Sequence, residues 1–324
     1  MFIWKKLGKI FTPQDVRNKS WMKEYAQAPS VLVYKNFIRI YFSCRPYPDR
    51  DSQYISYSAF IDVNRHNPAE VVHIAEKPIL PLGGRGTFDE FGTYPVSVIR
   101  MGRKIYAYYG GWTRCVSVPF NVAIGMAISD DNGVTFKRSG SGPVLSYSPD
   151  EPFIISGPKI RRFHNTWYVW YIAGKKWIRD NGKPEPVYRI RMATSKDGQN
   201  WEKYGKDIIQ TTLGGDEAQA SPDVIWYKNS YHMFFCYRYS TDFRGKRGYR
   251  IGYAKSEDLF HWQRDDTGAG ITVSSKGWDD ESVSYPHVFE SDGTLYMLYL
   301  GNQVGKYGFG LARLDENSDV KGNV

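Results

Sequence analysis

Apolar and polar residues alternate in short runs along nearly the whole chain, and the runs come in pairs. Ser30-Val31-Leu32-Val33-Tyr34 breaks at Lys35-Asn36 and resumes over 37–42. Val224-Ile225-Trp226-Tyr227 breaks at Lys228-Asn229 and resumes over 231–236. A period of two is the mark of half-buried strands, and a short polar break between two such runs is a hairpin. Glu290-Ser291-Asp292-Gly293 is an equivalent break, with Asp-Gly as its turn signal. A proline stands at the start of each first run, at Pro29, Pro95, Pro158, Pro222 and Pro286, with spacings of 66, 63, 64 and 64 residues. Proline is tolerated there because the first residue of a strand can forgo its ladder bond. So regular a period identifies a repeat architecture before any local motif is weighed.

Each repeat reads as four strands, except the last. After Pro286 the chain supplies strands only over 288–290, 295–300 and 309–314, while a lone strand, Trp4-Lys5-Lys6-Leu7-Gly8-Lys9-Ile10-Phe11-Thr12, precedes the first repeat. The missing strand is therefore the N-terminal one, which closes a ring and leaves no long open edge. The pattern predicts an all-β fold, a five-bladed β-propeller of four-stranded antiparallel blades, spanning residues 1–324 as one domain. The dense aromatics, Trp167, Tyr168, Trp170 and Tyr171 among them, are expected to pack between blades.

Three outer hairpins share Ser, Asp and a closing aromatic: Ser129-Asp130-Asp131-Asn132-Gly133-Val134-Thr135-Phe136, Ser195-Lys196-Asp197-Gly198-Gln199-Asn200-Trp201 and Ser256-Glu257-Asp258-Leu259-Phe260-His261-Trp262. Ser and Asp side chains can satisfy turn amides while the aromatic plugs the blade. The motif resembles the Asp box of sialidases, where it is structural, and no catalytic role is assigned to it.

Composition narrows the function. A formal charge of +9 and a pI near 9.2 point to an anionic partner, but acids and bases are interleaved, so nucleic acid is not expected. Cys44, Cys115 and Cys236 are far apart with no metal spacing, which argues against a disulfide framework or zinc site and for a reducing compartment. The N-terminus lacks the apolar run of a signal peptide and no stretch is long enough to span a bilayer, so the expectation is a cytoplasmic protein. Gly83-Gly84-Arg85-Gly86 precedes no helix, which excludes a P-loop, and there is no nucleophile elbow and no histidine cluster for a transition metal.

A five-bladed ring closed by an N-terminal strand, with these turns, resembles the β-propeller glycosidases: the arabinanase and xylosidase group, the invertase and levansucrase group, and the mannoside phosphorylases. The resemblance covers nearly the whole chain as architecture and implies a carbohydrate-active enzyme. In arabinanase-like enzymes the general base is an Asp directly before the first blade's proline, where this chain has Ala28, and the general acid is a Glu two residues before a later proline, where it has Ser156. Ser221-Pro222-Asp223-Val224 is similar to the Ala-Pro-Asp-Val of that group, in another blade, which makes Asp223 a catalytic candidate. Some propeller glycosidases hold one channel cation; nothing in this sequence specifies a metal or other cofactor.

The acids have collected slightly upstream. Glu24, Glu90, Glu217 and Glu281 lie five residues before their prolines and Asp89, Asp216 and Asp280 six before, with Asp150 and Glu151 displaced in the third blade. In a propeller this segment enters the innermost strand from the channel mouth, so these carboxylates are expected to converge on one funnel. Crowding would separate their pKa values into acid and base roles, and glycoside cleavage needs two such groups. Glu90, Glu217 and Glu281 are the leading catalytic candidates, with Asp89, Asp216 and Asp280 beside them; the competing reading is that each acid caps a neighbouring blade. Counting along each repeat places Arg45, Trp112, Gly174, Arg238 and Asn302 in the loops after the second strands, followed by Arg114, the basic run Lys175-Lys176-Trp177-Ile178-Arg179 and the stretch 241–247. Arg offers a fork of donors for carboxylate or phosphate and Trp a flat face for a sugar. Lys159 and His287, each directly after a blade proline, are expected to point into the channel.

These features predict cleavage or transfer of a glycosidic bond in a carbohydrate, with basic loops suited to an anionic or phosphorylated substrate. Hydrolysis is the default reaction, with phosphorolysis or glycosyl transfer as variants. A glycan-binding propeller that has lost its catalytic acids is the alternative from another class.

Overall fold

The computed structural model describes residues 1–244 and 247–315, and within them the chain forms five four-stranded antiparallel sheets. The innermost strands are Glu24–Val33, Gly92–Met101, Ile155–Phe163, Ala218–Tyr227 and Ser284–Ser291, one for each blade. The outermost strands of blades 1 to 4 are Val71–Ile74, Lys137–Arg138, Glu202–Lys203 and Gln263–Arg264. Blade 5 takes its outermost strand from the N-terminus: Trp4–Phe11 pairs antiparallel with Phe309–Leu314, Trp4 opposite Leu314 and Phe11 opposite Phe309. Ring closure is therefore as the alternation predicts.

The core lies between blades. Tyr41, Phe60, Val96 and Tyr109 fill the junction of blades 1 and 2, and Tyr108, Met126, Ile160 and Trp167 that of blades 2 and 3. Trp170, Met192, Val224 and Met233 fill the next, and equivalent clusters occupy the last two. Trp167, Tyr168, Trp170 and Tyr171 are all buried, as expected of blade packing. The three Asp-box turns are structural too. Ser129 Oγ accepts from Gly133 N at 2.8 Å, and the Asp131 carboxylate accepts from the amides of Val134 and Thr135; Asp197 and Asp258 repeat the arrangement.

At each blade proline the inner strand bulges, and the pre-proline residues Ala28, Ser221 and Tyr285 adopt the left-handed conformation. The bulge turns one side chain of each inner strand toward the propeller axis. Register with the second strand makes Ser30, Ser97, Lys159, Asp223 and His287 equivalent, facing Tyr41, Tyr108, Trp170, Phe234 and Leu298. Four of these accept a hydrogen bond from the next inner strand: Ser30 Oγ from Val98 N at 3.1 Å, Ser97 Oγ from Ile160 N at 3.1 Å, Asp223 Oδ2 from Val288 N at 2.6 Å and His287 Nε2 from Val31 N at 3.0 Å. Lys159 cannot accept. Its Nζ instead crosses the axis, donating to the Pro29 carbonyl at 3.0 Å and approaching His287 Nδ1 at 3.3 Å.

Candidate functional site

The acids that enter the blades have three different fates. Asp89, Glu151 and Asp279 turn inward, and each pairs with a cation on its blade's outermost strand: Arg138 at 2.7 Å, Lys203 at 2.5 Å and Lys6 at 2.6 Å. The hydroxyls of Tyr109, Tyr171 and Tyr299 donate to the same three carboxylates, and Arg191 adds a second partner to Glu151. Room for each cation comes from an alanine opposite it, Ala127, Ala193 and Ala312. In blade 4 Gly215 stands where that acid would be, and Glu217 reaches in from two residues later to Arg264 at 2.7 Å, opposite Ala254. Glu217 also accepts from the amides of Thr212 and Leu213 and from Gln219 Nε2, each at 2.8 Å. Burial alone would push its pKa up; the hydrogen bonds from Gln219, Arg264 and the two amides outweigh it and hold the carboxylate below its ordinary value. Blade 1 replaces the charged set by Met22, Phe42 and Ile74, which share one apolar cluster.

This corrects the expected convergence of acids on a funnel. Counting from the prolines groups Glu217 with Glu90 and Glu281, but the loop lengths before each bulge differ, so equal sequence offset is not equal position. Asp89 and Glu217 are buried as locks within their own blades, which is neither the funnel nor the capping of a neighbouring blade. Glu90 stays in its own entry loop, where Oε2 accepts from Gly86 N at 2.8 Å, and Glu281 is exposed, its backbone N–H bonded to Asn302 Oδ1. Asp216 is an exposed partner of Lys176 at 2.6 Å, and Asp280 accepts from Gly277 N and Asn302 Nδ2. Asn302 is thereby a turn anchor rather than an open mouth group.

Lys159 and His287, expected from the sequence to point into the channel, meet Asp223, the candidate from the resemblance, in a buried plug. Asp223 is paired with Arg161 at 2.5 Å, and its Oδ2 lies 3.3 Å from His287 Nδ1. Since His287 Nε2 accepts from Val31, the ring proton belongs on Nδ1, toward Asp223. Burial pushes His287 down to about 4 and Lys159 down to about 8, while Arg161 and its cationic neighbours overcome burial to hold Asp223 well below the usual carboxylate range. Among the described residues no group of three or more His, Cys, Asp or Glu side chains is placed to hold a metal ion.

The mouth is lined by arginine and tyrosine. The Arg45 guanidinium lies 4.5 Å from the ring centroid of Tyr25, 5.0 Å from Trp112, 5.2 Å from Tyr54 and 5.4 Å from Tyr94. Its NH2 donates to Gln27 Oε1 at 3.2 Å; among the described residues the buried donors Arg45 Nε and Trp112 Nε1 have no acceptor. Tyr94 donates to Tyr285 Oη at 3.2 Å, a bar across the mouth, and beyond it Tyr249 leads to Arg238. Arg238 is only 2% exposed, stacked 3.6 Å from the Phe243 ring centroid, its Nε also without an acceptor among the described residues. Arg114 turns aside to Asp49 at 3.1 Å. Of the basic stretch 241–247, Gly245 and Lys246 lie outside the described residues. At the edge of the Arg45 cradle, Glu24 faces Arg45 across the strands; Tyr54 Oη donates to Glu24 Oε2 at 2.7 Å and Lys306 Nζ lies 3.1 Å from Oε1. Sequence reasoning singled out Arg45, Trp112 and Arg238 but missed the tyrosines, whose legible signal was a tyrosine directly before a blade proline, at 94 and 285. A cleft of about 460 Å³ beside the 227–230 turn, lined by Phe2, His232, Tyr253 and Lys255 among others, holds none of the candidates.

No family model matches the chain. An uncharacterized protein of Mycobacterium tuberculosis (strain H37Rv) is 35% identical over 313 residues, covering 96% of this chain and 99% of that protein. A solved glycoside hydrolase superposes with TM-score 0.72 at 17% identity, covering 95% of this chain and 91% of the other. The β-1,2-mannobiose phosphorylase of Listeria innocua, solved with β-1,2-mannobiose, superposes with TM-score 0.69 at 13% identity, covering 96% of each. The two solved structures share the five-bladed β-propeller fold, and the chain belongs to the family of that uncharacterized mycobacterial protein.

Proposed function

We propose that the protein is a carbohydrate-active enzyme that breaks or transfers a glycosidic bond in a sugar carrying an anionic group, and that it does so at the axial mouth. The observation that carries this is the Arg45 cradle. A guanidinium set among four rings, with no acidic partner and with unpaired donors on Arg45 and Trp112 among the described residues, offers charge and hydrogen bonds to an anion beside flat faces for a sugar ring. Hydrolysis, phosphorolysis and transfer to another sugar all fit that site, and the phosphorylase and hydrolase neighbours support the class. The thiols of Cys44, Cys115 and Cys236 are free, in keeping with a cytoplasmic setting, and among the described residues no helix is long and apolar enough to cross a membrane.

The test is calorimetric titration with sugar phosphates and uronic acids against their neutral counterparts. Anionic ligands should bind more tightly than neutral ones, and Arg45→Gln should weaken them by about tenfold or more, as loss of a charge-assisted contact of about 1.5–3 kcal/mol implies. Equal binding of neutral sugars, or an unchanged Arg45→Gln, refutes the reading. The second reading, a glycan-binding propeller without catalysis, draws on Glu217 and Asp223 being committed to the blade lock and the axis plug. Binding with no bond cleavage, with or without phosphate, would favour it.

A further inference from the structure

We propose that Tyr54 and Glu24 form the reacting pair of the mouth, Tyr54 as the nucleophile and Glu24 as its base; this rests on the carbohydrate-active reading above. The inference begins from the fates of the acids. Asp89, Glu151, Glu217 and Asp279 are consumed by cations on the outer strands, and Asp223 by the axis plug. Glu24 is different: blade 1 builds its lock from Met22, Phe42 and Ile74, and Glu24 lies at the edge of the Arg45 cradle, paired with Lys306 and bonded to Tyr54. Its side chain is 11% exposed, one oxygen facing the Lys306 ammonium and the other accepting a hydrogen bond from the Tyr54 hydroxyl. Tyr54 lies on the long loop between the second and third strands of blade 1, half-buried, with Arg45 over its ring.

That geometry suits attack on an anionic sugar. A neutral phenol approaches an anion without the repulsion a bare carboxylate would suffer, and Arg45 can hold the anionic group beside it. Burial, and then the hydrogen bond to Glu24, push the Tyr54 pKa up, so the hydroxyl is protonated at rest and needs a base as it attacks. In the first step Tyr54 Oη bonds to the anomeric carbon, the bond from that carbon to the leaving oxygen breaks with its electron pair on oxygen, and the phenolic proton passes to Glu24 Oε2. A phosphate-type leaving group departs without needing a proton, so no second open acid is required. In the second step water or an acceptor hydroxyl attacks the same carbon and the aryl glycoside bond breaks. Glu24 returns its proton to the Tyr54 oxygen, takes the acceptor's proton, and releases it to solvent.

The probes are 2-deoxy-2-fluoro glycosyl fluorides of gluco, manno, galacto and glucurono configuration, whose leaving group is activated and whose second step is slow. Fluoride release is followed with an electrode, and the labelled residue is placed by peptide mass mapping. The pair predicts an adduct on Tyr54, loss of release by roughly 100-fold or more in Tyr54→Phe, and a similar loss in Glu24→Gln. An adduct on Glu90 or Glu281, or release retained in Tyr54→Phe but lost in Arg45→Gln, overturns the pair while leaving the anionic-sugar reading intact. No release from any donor by the wild-type protein sinks both.

Discussion

Removing Arg264 isolates what the blade locks contribute. Arg264 is the counter-ion of Glu217, and the two side chains are 5% and 0% exposed at a separation of 2.7 Å. Arg264→Ala leaves the carboxylate in its buried site with the two backbone amides and Gln219 but no cation, and it frees a second acid, Asp266, which Arg264 also holds at 2.8 Å. Breaking a buried pair in this way costs about 3–5 kcal/mol. The guanidinium also lies 4.4 Å from the Tyr237 centroid and 5.1 Å from Phe235, and losing those contacts adds about 0.5–1 kcal/mol. Urea denaturation followed by tryptophan fluorescence should therefore show a fall in unfolding free energy of about 3 kcal/mol or more at pH 7. The double variant Glu217→Met with Arg264→Ile, which copies the apolar solution of blade 1, should recover most of it, since replacing a whole buried pair with apolar groups is often neutral or better. The pH dependence has a definite sign. Glu217 is depressed in the folded state, so its contribution is present above its ordinary value of 4.5 and is lost as pH falls through the lower folded value. A loss below about 1 kcal/mol in Arg264→Ala, the size of an exposed pair, would refute the lock.

Other outcomes follow from the same geometry. His287, held neutral down to about 4, should show an imidazole NMR shift that stays constant from pH 8 to 5; because the unfolded chain binds that proton first, stability should rise with pH from about 4 to 6.5, and a titration midpoint near 6.5 in the native protein would contradict the buried plug. Glu90→Gln and Glu281→Gln should each change unfolding free energy by no more than about 0.5 kcal/mol, as surface substitutions do, in contrast to Glu217→Gln. Tyr94→Phe removes the bar to Tyr285 and should cost about 0.5–1.5 kcal/mol by denaturation; no measurable cost would mean that the two hydroxyls are not bonded in solution.

What the sequence determined by itself was the architecture. Period-two alternation, hairpin turns and a proline every 63 to 66 residues prescribe five sheets, because each pattern is read from neighbours along the chain and each strand buries one face whatever its partner. The N-terminal closing strand, the interblade aromatics and the Asp-box turns were legible for the same local reason, and so were Arg45 and Trp112 at the mouth. The destination of the acids was not. Asp89 and Glu90 are adjacent residues, yet one is buried against Arg138 and the other stays in its loop. Glu24 and Glu217 keep the same offset from their prolines, yet one meets Tyr54 and the other Arg264. The partner that buries an acid comes from tens of residues away in the chain, as Arg138 does for Asp89 and Arg264 for Glu217. A carboxylate's role here is set by which cation the folded ring brings to it, and only the tertiary structure makes that choice.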